Sequence, residues 1–355
     1  MLTFYPGPSK IYPQVGHFLQ DAVRDGVLSL NHRSAEFMDI MRRTLELFHE
    51  RLNVPSDNTI YFTSSATECW EIVAQSLALK QSFHPYNGSF GRKWFDYTAN
   101  IVNATGGVWF DPETNLTDIE NLAGWLQNTD VVGITQNETS NGTQVSMASL
   151  QKIRAVAPHN CLLVLDATSS MAGTALDWSL GDVWLASVQK CFGLPPGLGI
   201  MVCSPRALAR AVAIGDRTRY NSLLFVHQNA EKFQTHYTPN TLGIYLLMRV
   251  LEERRNIHEI GPKITARMND FTDFVHRDTR FEPLIKNAAV RSKTVIALES
   301  DAETVRRVKT AALKNNIILG NGYGQWAETT IRIANFPAID DAEFDQLKTF
   351  LADYQ

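Results

Sequence analysis

Asp182-Val-Trp-Leu-Ala-Ser-Val-Gln-Lys190-Cys-Phe-Gly-Leu-Pro-Pro-Gly-Leu-Gly-Ile-Met-Val-Cys203 is the stretch on which the reading of this 355-residue chain turns. Val183 to Val188 is short, apolar and β-branched, which predicts a buried strand. It ends in the pair Gln189-Lys190, just before a loop rich in Gly and Pro. A lysine at a strand end is commonly a solvated surface residue. The alternative is an amine placed among apolar neighbours that disfavour its charged form, nucleophilic near neutral pH and able to condense with a carbonyl. That second reading predicts pyridoxal 5'-phosphate as cofactor. Gly193 to Gly199 then turns the chain into a further strand, Ile200 to Cys203, and the prolines there rule out the helix that a dinucleotide-binding glycine motif must open.

Working backward, Cys161-Leu-Leu-Val-Leu-Asp166-Ala-Thr-Ser-Ser170 is a second apolar run ending in an acid. This is the pattern of a parallel strand whose carboxyl end faces a ligand crevice. Asp166 in such a place either caps the following helix or, taken with Lys190, holds the cofactor's pyridine nitrogen protonated so that the ring accepts electrons.

With Lys190 and Asp166 placed, the chain resembles the class V aminotransferases, closest in its motifs to the phosphoserine branch. The matching blocks run from Phe4-Tyr-Pro-Gly-Pro8 to Ile331-Arg-Ile-Ala-Asn-Phe-Pro337. The resemblance implies an α/β fold of the aspartate-aminotransferase kind (fold type I), with a mostly parallel seven-stranded sheet in a large cofactor-binding domain over residues 12–253. A smaller α+β C-terminal domain over 254–355 is expected to be joined by the N-terminal segment 1–11.

Bulk properties agree with a small-molecule enzyme. Lys and Arg number 33 against 37 Asp and Glu, giving a formal net charge of −4 without a basic stripe for nucleic acid or a polybasic membrane signal. The N-terminus lacks a basic start and an apolar core of signal-peptide length, and no apolar run approaches the roughly 20 residues of a membrane span, so a cytoplasmic protein is expected. Cys69, Cys161, Cys191 and Cys203 show no CxxC spacing and lie in apolar surroundings, which predicts reduced buried thiols and no metal site.

The remaining blocks each have a plain structural reading beside the role that the resemblance implies. His32 and Arg33 precede a helix N-cap at Ser34; in the resembled family this block reaches substrate from the neighbouring subunit. Ser64-Ser-Ala66-Thr67 follows the strand Asn58 to Thr63 and opens a helical pattern through Lys80, so backbone N–H groups and the helix dipole are available to a phosphate, with Ala66 and Thr67 lining the site. In Asn87-Gly-Ser-Phe90-Gly-Arg-Lys-Trp94, a Gly-flanked aromatic on a loop either plugs the core or stacks on a cationic ring. The resemblance selects Phe90, with Trp94 as the substitute.

Val131 to Thr135 is a buried strand followed by the loop Gln136-Asn-Glu-Thr139, whose Thr139 the resemblance places on the ring's phenolic oxygen. Gln189 is likewise implied at the cofactor phosphate. Asn240 and Thr241 read as the cap of a long helix through Val250, and by resemblance lie on the other subunit's phosphate, making a homodimer with shared active sites part of the expectation. Short strands at Thr294 to Leu298, Ile317 to Leu319 and Thr330 to Ile333 alternate with helices. Arg332 on the last of them is either an exposed strand residue or, by resemblance, the group that forks the substrate α-carboxylate.

The implied reaction is amino transfer between an amino acid and a 2-oxo acid, with Lys190 as the condensing amine and proton carrier and Asp166 behind the ring. Phosphoserine:2-oxoglutarate transfer, a step of serine biosynthesis, comes first. The family's phosphoserine branch carries a His-Arg pair shortly before the carboxylate-binding Arg, where this chain reads Gly324-Gln-Trp-Ala327. A serine– or alanine–glyoxylate type is therefore the alternative, and a non-catalytic regulator that binds the cofactor is the alternative from another class.

Overall fold

The fold is that of a computed structural model, which describes residues 1–353. Seven strands form the central sheet: β1 (Thr59–Thr63), β2 (Gln81–Tyr86), β3 (Ala104–Trp109), β4 (Val131–Thr135), β5 (Leu162–Asp166), β6 (Val183–Ser187) and β7 (Gly199–Cys203). Their order across the sheet is β1-β7-β6-β5-β4-β2-β3. All pairings are parallel except those of β7, which runs against both β1 and β6. The reversal follows from the short Gly193–Leu198 turn, because a parallel return requires a crossover of a dozen residues or more.

β5, β6 and β7 are buried along their whole length. Such continuous apolar runs are what a parallel sheet covered on both faces demands. Helices Ala66–Ser76, Ser89–Ala99 and Met147–Val156 follow β1, β2 and β4, the last after a short hairpin of Asn137–Glu138 with Thr143–Gln144, and return the chain to the amino ends of the next strands. The carboxyl ends of β1, β2, β4, β5 and β6 therefore meet on one edge, the edge at which open α/β sheets bind ligands.

A second, antiparallel sheet is built from Glu282–Pro283, Val295–Glu299, Thr330–Ala334 and Gly320–Asn321, in that order. Gly320 to Gly324 thus begins as a strand and ends in a 3-10 turn, Gly324–Trp326. Leu2–Thr3 pairs in parallel with Ile317–Ile318, and the Phe4 carbonyl accepts the Ala334 N–H at 2.7 Å, so the N-terminal segment belongs with these C-terminal strands. Phe344 fixes this packing by meeting Phe4 and Phe271 edge-on, each at 5.4 Å between ring centres. Such aromatic pairs contribute roughly 0.5–1.5 kcal/mol beyond area burial.

The structure differs from the periodicity reading at several places. The helix expected through Lys80 stops at Ser76, whose hydroxyl takes the Leu223 N–H at 3.0 Å. Neither β2 nor β3 carries a clear apolar period: β2 contains Pro85, and β3 is an edge strand with Gly106 and Gly107. All four cysteines are free and buried, as expected. Among the described residues no helix is long and apolar enough to cross a membrane.

Candidate active site

Lys190 lies just past the carboxyl end of β6 and is only 7% exposed. Its Nζ donates to the Pro6 carbonyl at 3.0 Å and to Thr139 Oγ1 at 3.3 Å. Burial, reinforced by the positive charge of Arg332, pushes the amine down to about 8, while Asp166 and Glu138 pull the other way. A Cβ built on Gly7 would stand 2.9 Å from Nζ, and φ there is +150°, so glycine lets the N-terminal segment pass directly over the amine. The Ser9 N–H to Gln189 carbonyl and Tyr12 N–H to Gly193 carbonyl bonds, both 3.0 Å, hold that segment in place.

Asp166 ends β5, buried, with Thr135 and Leu185 as its neighbours on β4 and β6. Trp70 donates its indole N–H to Oδ2 at 2.9 Å, and the Thr168 N–H reaches Oδ1 at 2.9 Å. Burial raises this carboxyl above its ordinary range; the Thr168 and Trp70 bonds and the Lys190 charge oppose that rise. The mutual influence of Asp166 and Lys190 places both groups in one electrostatic site. An amine suited to an aldehyde and a buried carboxylate suited to a cationic ring nitrogen thus stand at the carboxyl ends of adjacent strands.

Phe90 is not on a loop as expected. It sits in the first turn of the helix Ser89–Ala99, with Lys190 Nζ 5.6 Å from its ring centre. The helix starts here because a distant carboxylate caps it: Glu138, 1% exposed, accepts the Phe90 and Gly91 N–H groups at 3.1 and 2.9 Å on Oε2, and the Ser140 N–H and hydroxyl on Oε1. Local sequence offers no capping side chain, since Gly88 holds the N-cap position. Trp94 is stacked on Trp70 at 5.8 Å in the core, so of the two aromatics only Phe90 is seen beside the amine.

At the other end of the site, the Ala66 N–H donates to Ser187 Oγ at 2.9 Å, and Ser65 caps the helix Ala66–Ser76. A Cβ on Gly199 would stand 2.4 Å from the Ser65 carbonyl carbon, so the turn lies hard against the start of β7. Ala66 is buried, whereas Thr67 is exposed and its hydroxyl has no partner among the described residues. The half-buried Gln189 adjoins this end through the strand terminus. A helix N-terminus beside serine and threonine hydroxyls is a suitable phosphate cradle. The donor set as a whole therefore fits pyridoxal phosphate.

Arg332 is buried on its strand, not exposed. Its Nε and Nη1 donate to the carbonyls of Asn321 and Thr139 at 2.6 and 2.7 Å, and no carboxylate of the described residues lies in ion-pair range. A two-pronged grip on a substrate carboxylate needs one of these backbone bonds released. The Tyr323 ring lies 5.4 Å from both the guanidinium and the Phe90 ring centre.

Among the described residues, His32, Arg33, Asn240 and Thr241 make no hydrogen bond, ion pair or ring contact with Lys190. Ser34 caps the helix Ala35–Leu52 as expected, and the Arg33 side chain is exposed with no hydrogen bond or ion pair among the described residues. Asn240 caps the helix Thr241–Glu253 and reaches the Gly197 carbonyl at 3.2 Å.

Three contributors escaped the sequence reading. Trp70 stands one helical turn after Ala66, so its direction toward the same site was accessible from spacing. Glu138 lies inside the block that yielded Thr139, and Pro6 inside the entry segment; nothing local marks either as facing the amine.

Residues 4–322 match the family model described as Aminotransferase class-V. The chain is 25% identical over 361 residues to a phosphoserine aminotransferase of Rhodococcus opacus, covering 96% of this chain and 91% of that protein. It is 26% identical over 359 residues to one of Corynebacterium glutamicum, with 96% and 91% covered. Among solved structures, a phosphoserine aminotransferase from Cytophaga hutchinsonii superposes with a TM-score of 0.92 at 27% identity, over 99% of this chain and 98% of that one. An aspartate aminotransferase from Thermus thermophilus gives 0.85 at 20% identity over 99% and 98%, a likeness of fold.

Proposed function

The chain belongs to the class V aminotransferases, and from that membership we propose that it is a phosphoserine:2-oxoglutarate aminotransferase of serine biosynthesis, using pyridoxal phosphate in a homodimer. The observation that carries the catalytic reading is the buried amine of Lys190 between the Thr139 hydroxyl and the Pro6 carbonyl, at the end of the strand next to the one that Asp166 terminates. Pyridoxal phosphate, when bound, supplies an electron sink for the charge that builds as the substrate Cα–H bond breaks.

Each residue has a defined task. Lys190 would hold the cofactor through its aldehyde, and its amine would carry the proton taken from the substrate Cα. Burial lowers this amine to about 8, so a larger share of it is neutral and nucleophilic near pH 7 than for an ordinary lysine. Asp166 keeps the ring nitrogen protonated, and Trp70 steadies Asp166. Thr139 is placed for the phenolic oxygen, Phe90 for the ring face, and Ala66, Thr67 and Gln189 for the phosphate. Arg332 holds the substrate α-carboxylate.

The shared-site dimer rests on residues that the single chain leaves at its surface. Arg33 and Asn240 are exposed beside half-buried His32 and Thr241, and in the dimer they serve the partner's site. The division at residues 253/254, with segment 1–11 joining the C-terminal part, belongs to the same proposal. Location in the cytoplasm does too.

A second reading, serine– or alanine–glyoxylate transfer, has a specific observation in its favour. The turn Gly324–Trp326 brings no basic side chain toward Arg332; aromatic Tyr323 stands there instead. Purified enzyme assayed with phosphoserine, serine and alanine as donors, against 2-oxoglutarate and glyoxylate, separates the two. A phosphoserine kcat/KM at least tenfold above that of serine supports the first reading; equal values favour the second.

A further inference from the structure

Lys190 and Arg332 both bond to Thr139, the first to its hydroxyl and the second to its carbonyl, so the amine and the guanidinium stand across a single residue. An unbroken run of rings connects the same two groups. Lys190 Nζ lies 5.6 Å from the centre of the Phe90 ring, Phe90 lies 5.4 Å from Tyr323, and Tyr323 lies 5.4 Å from the Arg332 guanidinium. Phe90 opens the helix after β2, and Tyr323 follows the strand Gly320–Asn321, so each of the two sheets contributes one ring.

Tyr323 is held at this place by its own loop. Its carbonyl accepts the Trp326 N–H at 3.1 Å, the Trp326 carbonyl accepts the Thr330 hydroxyl at 2.7 Å, and Trp326 packs on the cluster of Leu284, Ile285, Val290 and Ala297. A Cβ on Gly324, where φ is +55°, would come 3.2 Å from Ser89 Oγ, so the turn rests against the start of the helix that carries Phe90. The Tyr323 side chain is half-buried, yet its hydroxyl has no hydrogen-bond partner among the described residues and is not enclosed. Arg332 Nη2 is in the same state. A phenol both donates and accepts, so this one is available to a ligand that Arg332 holds by its carboxylate.

We propose, on the amino-transfer reading above, that Tyr323 determines the choice of amino donor. Its ring walls the path between the Lys190 amine and Arg332, and its hydroxyl donates to an oxygen on the donor's β-carbon, supplied by a free hydroxyl or a phosphate ester. Alanine offers no such oxygen. A site that hydrogen-bonds a substrate hydroxyl discriminates against the analogue lacking it, because the site's own polar group is then left unpaired.

The test compares cofactor-loaded wild type with Tyr323→Phe. The donor half-reaction is followed by the spectral change of the bound cofactor with phosphoserine, serine and alanine, and the acceptor half-reaction with 2-oxoglutarate or glyoxylate. In the expected result, wild type favours phosphoserine or serine over alanine. Tyr323→Phe then lowers the second-order rate with the better of those two at least tenfold, through a higher half-saturating concentration, and changes alanine and the acceptor less than twofold. A merely structural role for Tyr323 would move every substrate alike. The same change for all three donors, no change for any, or a wild-type preference for alanine overturns the proposal and leaves amino transfer standing. Transfer from none of the three donors overturns the amino-transfer reading and the proposal with it.

Discussion

The Lys190 amine is capped by the carbonyl of Pro6, 184 positions earlier in the chain, at 3.0 Å. The bond ties the first residues to the centre of the site. Burial beneath that segment takes the amine out of water, and desolvation is the largest cause of its lowered pKa.

The amine titrates near 8 in the protein without cofactor. Its ordinary value is 10.5, so between about pH 8 and 10.5 the unfolded chain binds a proton that the folded one does not. The Lys190 contribution to stability therefore becomes more favourable as pH rises through that window. Reductive 13C-methylation of Lys190 followed by NMR titration checks this; a midpoint near 10.5 contradicts it.

Trp70→Phe removes one of the two donors to the Asp166 carboxylate among the described residues. A hydrogen bond to a charged group contributes about 1.5–3 kcal/mol. If a large part of that serves the charged state at the ring nitrogen, kcat falls by about 10- to 100-fold while KM for the donor changes little. Steady-state kinetics with circular dichroism as a fold control decide the matter.

Glu138→Ala leaves the Phe90, Gly91 and Ser140 donors buried without their acceptor, and destabilises by about 2–4 kcal/mol. Glu138→Gln keeps an acceptor and loses less. Urea midpoints of the two variants at constant slope check the ranking. Gly88→Ala tests the same contact from the other side: its Cβ would stand 2.3 Å from Glu138 Cγ, so Phe90 is displaced and cofactor affinity drops.

Mixing two inactive variants tests the shared site. Lys190→Ala and Arg33→Ala enzymes, dissociated and reassociated together, form hybrids with one complete site, and up to a quarter of wild-type activity returns. No recovery, with hybrid formation verified by mass, counts against the partner subunit's Arg33 reaching the site.

Much of this arrangement was readable from residue order, for physical reasons that differ by element. β5 and β6 are buried on both faces and must be apolar throughout, so their polar terminal residues, Asp166 and the following Lys190, stand out. β2 and β3 do not obey that constraint, since one contains a proline and the other borders the sheet. The helix at Phe90 was misread as a loop because its cap comes from Glu138, 48 positions away. Burial of Arg332 was equally invisible, because its acceptors are the backbone carbonyls of Asn321 and Thr139.

The central claim is that one particular amine carries the cofactor. Borohydride reduction of enzyme loaded with pyridoxal phosphate, then peptide mass mapping, tests it most directly. The account predicts the phosphopyridoxyl mass on the peptide containing Lys190 and none on that peptide region in Lys190→Ala. A label confined to another lysine, or none on an enzyme that still transaminates, contradicts it.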